Sequence, residues 1–140
     1  MTFTIIANKY IDDDFIEWLI DIIKHKIISQ LDNEYIINFN NIVNDNEIFK
    51  KNNPDSKVKF DVRKAILISL NTLKYRKIKN VYIIDIGKDI LFPNYQVKLE
   101  TVCKLLNYGN TQIKGYPIFT NVFNDIRQNL ESYYQQYLDE

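Results

Sequence analysis

Little in this chain is of the kinds that staple, hinge or span. Its 140 residues include one cysteine, three glycines, three prolines, two alanines and one histidine. A lone thiol, Cys103, excludes an intrachain disulfide and suits a reducing cytosol or a particle assembled in one. No flexible linker, low-complexity tail or internal repeat is visible. No stretch approaches ~18 uncharged apolar residues, so no membrane partner is expected. The opening MTFTIIANKYIDDD has neither a basic region nor a long apolar run, so no signal peptide is expected. A glycine-rich phosphate loop, a GxGxxG and a Walker lysine are all missing. Arginine is scarce too, three against fifteen lysines, although base-edge readout and bidentate phosphate grips favour it.

What is present is enough for a core. Hydrophobic residues make up 46% of the chain, so 140 residues fit one self-supporting domain. Isoleucine (23), asparagine (17), lysine (15) and tyrosine (10) dominate. That skew towards A/T-rich codons points to a low-GC bacterium, its phage or a similar parasite. The net charge of zero conceals a segregation. Residues 1–49 carry three cations and nine anions, residues 50–79 ten cations and two anions, and residues 80–140 five cations and seven anions. Such a chain can be strongly dipolar while its overall charge stays neutral.

Periodicity predicts one α+β domain over residues 1–140, helix-dominated, with a small sheet. TFTIIA (2–7) reads as an edge strand and EYIINFN (34–40) as a second strand. Residues 41–55 form a short helix or a loop. Phe15, Ile16, Leu19, Ile20, Ile23, Ile27 and Leu31 recur at helical spacing over 13–31. Asp13 or Asp14 caps that helix, and Asp14 with Glu17 fits a capping box. A second helix is expected over 57–76. VYIIDI (81–86) and DILF (89–92) form a hairpin over 81–92, turning at Gly87-Lys88. Helices over 96–107 and 118–138 follow, with Gly109 placed for a left-handed cap.

Few constellations suggest chemistry. Asp12, Asp13, Asp14, Glu17 and Asp21 resemble a cation site, but a capped and solvated acidic face explains them with less. His25 stands one turn after Asp21, which suits a surface pair. Cys103 has no activating partner close in sequence, and Asp85 sits in an apolar strand without a phosphate loop. No catalytic residue, metal or cofactor is expected, and the chain is not read as an enzyme. A metal-dependent nuclease is the least unsuitable enzymatic alternative.

The basic segment says more. KYRKIK (74–79) puts four cations in six residues; Lys57, Lys59, Arg63, Lys64, Lys74 and Arg76 lie mainly off the apolar stripe of the expected helix, and Lys77 follows it as a further interface candidate. That helix face is solvated, meets an acidic protein surface, or binds phosphate with Tyr75 stacking on a base. Segregated charge suits head-to-tail association of identical copies, the acidic first helix of one against the basic 57–79 segment of the next, closing into a ring. Tyr133, Tyr134 and Tyr137 offer amphipathic contact area of the sort interfaces favour.

LLNYGNTQIKGYPIFTNVFNDI (105–126) carries Asn107-Tyr108-Gly109, then Lys114-Gly115-Tyr116, then an aromatic-led helix. This stretch, about a sixth of the chain, resembles C-terminal segments of small neck and tail-joining proteins of AT-rich tailed phages, crAss-like phages above all. The resemblance implies a structural virion protein, a homo-oligomeric head–tail connector ring between portal and tail. Its partners would be portal, neck and tail proteins, with DNA passing through a channel without sequence-specific contacts. It implies assembly in the host cytoplasm and residence in the virion, and it brings no catalytic residues. The alternatives are a small phage-encoded protein that inhibits a host factor and a nucleic-acid-binding module using the basic helix. Locally, both glycines already have a backbone reason to be there.

Overall fold

The computed structural model describes residues 1–7, 10–30, 62–92, 97–109, 115 and 117–140. Strand β1 is Thr2–Ile6 and helix α1 is Asp13–Gln30; helix α2 is Val62–Leu70. Strands β2, Lys74–Ile78, and β3, Val81–Asp85, come next, then the two-residue strands β4, Leu91–Phe92, and β5, Val97–Lys98. Helices α3, Leu99–Tyr108, α4, Ile118–Gln128, and α5, Leu130–Leu138, complete the described chain. The architecture is α+β, with helices dominating a small antiparallel sheet ordered β1-β3-β2. The expected strand at 34–40 and the segment 41–55 lie outside the described residues.

Alternation makes the sheet two-faced. Phe3, Ile5, Tyr82 and Ile84 point inward and are buried. Phe3 stacks on Phe123 of α4, ring centroids 3.8 Å apart and nearly parallel. Helix α1 contributes Phe15, Ile16, Leu19, Ile23 and Ile27, all fully buried. Each such side chain stabilises the fold by roughly 1.5–3 kcal/mol through removal from water. Met1, Ile86, Leu99, Cys103, Leu106 and Phe119 join the same cluster.

Four boundaries differ from the sequence expectation. The cap of α1 is Asp12, whose Oδ1 accepts the Phe15 N–H at 2.9 Å, so neither Asp13 nor Asp14 serves and no capping box forms. The 57–76 helix does not reach Tyr75. It stops at Leu70, where Thr72 Oγ1 turns back to the Ser69 carbonyl, and 74–78 becomes strand. The hairpin therefore joins β2 to β3 through Lys79, at φ 56, and Asn80. The expected 81–92 hairpin does not form: Leu91–Phe92 pairs with Val97–Lys98. Gly87, at φ 71, instead lets the chain pass the start of α3, where a Cβ would come within 3.0 Å of the Glu100 nitrogen. Finally, the 118–138 helix is broken at Asn129, whose Nδ2 donates to the Asp125 carbonyl at 3.0 Å.

Candidate functional site

The register sorts side chains into three cross-strand rows on the outer face of the sheet. Thr2, Asp85 and Lys74 form one, Thr4, Ile83 and Arg76 the next, and Ile6, Val81 and Ile78 the last. At the first end sits a polar cluster. Asp85 is buried, 2% exposed, and it accepts from Thr2 Oγ1 at 2.9 Å and from Arg76 Nε at 3.1 Å. At the other end the surface is aliphatic. Ile6 is 71% exposed and Ile78 51%, with Val81 and Ile83 partly exposed beside them. Residues in one row stand close enough to form a continuous patch. Sequence reasoning missed this face, although TFTII, KYRKI and VYIID all alternate; only the register brings their even and odd positions onto one side.

The charged poles do not lie opposite one another. Tyr75 Oη donates to Glu17 Oε1 at 3.0 Å and Tyr82 Oη to Asp13 Oδ1 at 2.7 Å. Lys77 Nζ lies 5.0 Å from the Tyr82 ring centroid. Glu17, Asp21, Lys74 and Tyr75 share one shallow groove of about 410 Å³. The acidic N-terminal half of α1 thus lies beside basic strand β2 within one molecule, because β2 folds back onto β3 and α1 covers the inner face of that hairpin. Among the described residues the two charged segments are therefore neighbours, and not the opposed poles that the expected head-to-tail contact pictured. The basic helix expected at 74–77 is corrected: Lys74, Arg76 and Lys77 stand on a strand. Arg63 and Lys64 do lie in α2, with Lys64 exposed, while Lys57 and Lys59 fall outside the described residues. Asp12 and Asp14 are exposed at the helix start.

Proton affinities follow the same contacts. Burial, then the bond to Asp13, pushes the Tyr82 phenol up to about 12. The bond to Glu17 raises Tyr75, whose hydroxyl and ring are thereby engaged at home instead of being presented for stacking. Burial raises the Cys103 thiol to about 11, which disfavours the thiolate. His25 Nδ1 meets the Asp21 carbonyl at 2.7 Å on the exposed side of α1. Among the described residues no three histidines, cysteines or acids converge on a position for a metal ion. No described helix is long and apolar enough to cross a membrane.

The tyrosines expected to face a partner are largely used internally. Tyr133 is buried, and its hydroxyl donates to Asp125 Oδ2 at 2.5 Å. That bond is the main reason Asp125 sits below the usual carboxylate range, and Lys26, 3.2 Å away, adds to it. Tyr134 and Tyr137 pack on Phe15 at centroid distances of 5.2 and 5.5 Å. They clamp α5 onto α1, and Trp18 Nε1 donates to Glu140 Oε2 at 2.6 Å beside them.

The described residues of the 105–126 stretch have a structural account; 110–114 and 116, with Lys114 and Tyr116, lie outside them. Gly109, at φ 72, ends α3 with its N–H on the Leu105 carbonyl. Gly115 lies against that turn so closely that a Cβ would meet the Gly109 nitrogen at 2.4 Å. Buried Asn107 reaches across to α4, where its Oδ1 accepts the N–H groups of Phe119 and Thr120. No family model, no curated protein and no solved structure matches this chain.

Proposed function

We propose that this chain is a structural assembly subunit, a head–tail connector or neck-ring component of a tailed-phage virion, working by association without turnover. The observation that carries the proposal is the exposed aliphatic end of the sheet, Ile6, Val81, Ile83 and Ile78. Exposed apolar patches of this kind, rimmed here by Lys74, Arg76 and Lys79, mark protein–protein contacts. The likeness of 105–126 to neck and tail-joining proteins supplies the setting. A face that meets a different patch on the next copy closes a ring, whereas a face that meets itself closes a dimer.

Light scattering and negative-stain microscopy of the purified chain over a range of concentrations test this. Expected are closed oligomers of more than two subunits, abolished in Ile6→Lys/Ile78→Lys while circular dichroism stays native. A face-to-face dimer, or a monomer at every concentration that the double substitution leaves unchanged, overturns the ring. A persistent monomer leaves the small protein that inhibits a host factor as the better account.

A further inference from the structure

The sheet has two edges, and they are built differently. The edge at β2 is guarded by Lys74, Arg76, Lys77 and, in the turn, Lys79, all exposed. Natural proteins use such charges to stop strands adding to a sheet. The edge at β1, TFTII, has no charge, no proline and no bulge in its register with β3. Among the described residues nothing pairs with it on its other side.

The hydrogen-bond phase shows what that edge offers. Ala7 N–H bonds the Asn80 carbonyl at 2.7 Å, and Ile86 N–H bonds the Met1 carbonyl at 2.8 Å. Odd residues of β1 therefore face β3. Alternation in an antiparallel ladder turns the N–H and C=O groups of Thr2, Thr4 and Ile6 outward. Beside this edge runs a groove of about 300 Å³ lined by Thr4, Ile5, Ile6, Arg127 and Leu130. Arg127 and Leu130 also line its continuation, a groove of about 590 Å³ that passes exposed Tyr10 and Leu138. The Arg127 guanidinium lies 5.8 Å from the Phe3 ring centroid. Among the described residues it has no ion pair; Glu131, one turn on in the continuing groove, does not reach it. A fixed cation thus stands beside an uncharged row of backbone donors and acceptors.

We propose that the outer edge of β1 takes up an extended segment of a partner protein as a fourth strand, with an aliphatic side chain against Leu130 and a carboxylate on Arg127. Main-chain bonds to Thr2, Thr4 and Ile6 give such a segment its affinity, and the groove gives the choice of side chains. The carboxylate argues for a separate partner over a second β1, because residues 1–7 contain no acid to bring to Arg127. This contact uses the edge of the sheet and stands apart from the contact proposed for its outer face.

The probe is an octapeptide alternating valine with threonine and carrying one central glutamate, with a glutamine twin as control, titrated into the full chain and followed by amide exchange. Expected is saturable binding that slows exchange at Thr2, Thr4 and Ile6. Arg127→Gln weakens the glutamate peptide about tenfold, as loss of a charge-assisted hydrogen bond does, and leaves the glutamine twin unaffected. Thr4→Pro, whose missing N–H belongs to the open edge, abolishes binding while the β1–β3 ladder persists. No binding at millimolar peptide overturns the proposal. So does protection of the three edge amides without peptide, whether it grows with concentration alongside a dimer mass, meaning a second copy, or appears in the monomer, meaning the chain's own cover. Closed oligomers formed by an unsubstituted chain that takes no peptide overturn the edge alone and leave the outer-face contact intact.

Discussion

Replacing Asn107 tests whether the start of helix α4 is held by a borrowed cap. Helix α4 starts after Pro117, which has no side-chain acceptor to offer. The amides that an N-cap side chain normally satisfies, at the second and third helical positions, are those of Phe119 and Thr120. Asn107, 2% exposed at the end of α3, accepts both, at 3.0 and 3.1 Å, and its Nδ2 donates to Thr120 Oγ1 at 2.7 Å. In Asn107→Ala the buried Phe119 N–H loses its acceptor where water has no access, which costs about 1–3 kcal/mol. The half-buried Thr120 amide can rehydrate, so its loss resembles that of an ordinary cap, about 1 kcal/mol. The total is about 2–4 kcal/mol, a large part of the ~5–15 kcal/mol typical of a domain. Urea unfolding followed by circular dichroism reads the difference, with an unchanged slope as the sign that the unfolded state is unaltered. Thr120→Val, which removes one acceptor and leaves the backbone bonds, costs about 1 kcal/mol. Asn107→Asp keeps the acceptor beside a helix N-terminus and falls between the two. A loss below about 1 kcal/mol in Asn107→Ala, or a Phe119 amide that stays protected from exchange, refutes the borrowed cap.

Two further outcomes follow from equally local geometry. Gly115→Ala places a methyl 2.4 Å from the Gly109 nitrogen and the Tyr108 carbonyl carbon; main chain cannot swing aside, so about 1–3 kcal/mol or more is lost, read by thermal melting. Tyr82, at about 12 against an ordinary 10, holds its proton more tightly folded than unfolded; its contribution is whole below pH ~10 and falls away between pH ~10 and ~12, so Tyr82→Phe, which costs about 1 kcal/mol at neutral pH, flattens the alkaline fall in stability measured by urea titration.

Helix α1 was legible because its apolar residues hold one stripe for more than three turns and no glycine or proline interrupts them. Its cap was misread by one residue, since three consecutive aspartates are equivalent on paper and only the Phe15 amide chooses Asp12. Strand β2 was hidden by periodicity itself. Val62, Ala65, Ile66 and Leu70 set a helical rhythm that Leu73 continues by coincidence, and the four cations of 74–79 give no strong strand signal. The break at Asn129 was invisible for the opposite reason. The apolar spacing survives it, and the Asp125 cluster that captures Asn129 and Tyr133 is assembled in three dimensions together with Lys26 of α1. Tyr134 and Tyr137 show the same limit: an aromatic stripe at helical spacing fits a partner or a neighbouring helix equally well until the neighbour is seen.

The fate of the charge pattern bears on what could hold copies together. Segregation along a sequence becomes a dipole only if the fold keeps the segments apart, and here the hairpin returns β2 to the helix that carries the acids. Asp85 accepts a hydrogen bond from Arg76 and neutralises it, and Asp13, Glu17 and Asp21 lie near Lys74 and Lys77. Among the described residues much of the field that would have drawn one copy to the next is spent within the molecule, and what remains at the surface is screened over about 8–10 Å at physiological salt. Among the described residues the aliphatic end of the sheet has no such internal partner. The association proposed through Ile6, Ile78, Val81 and Ile83 would therefore be driven by burial of apolar surface, with the surrounding lysines setting orientation and encounter rate more than affinity.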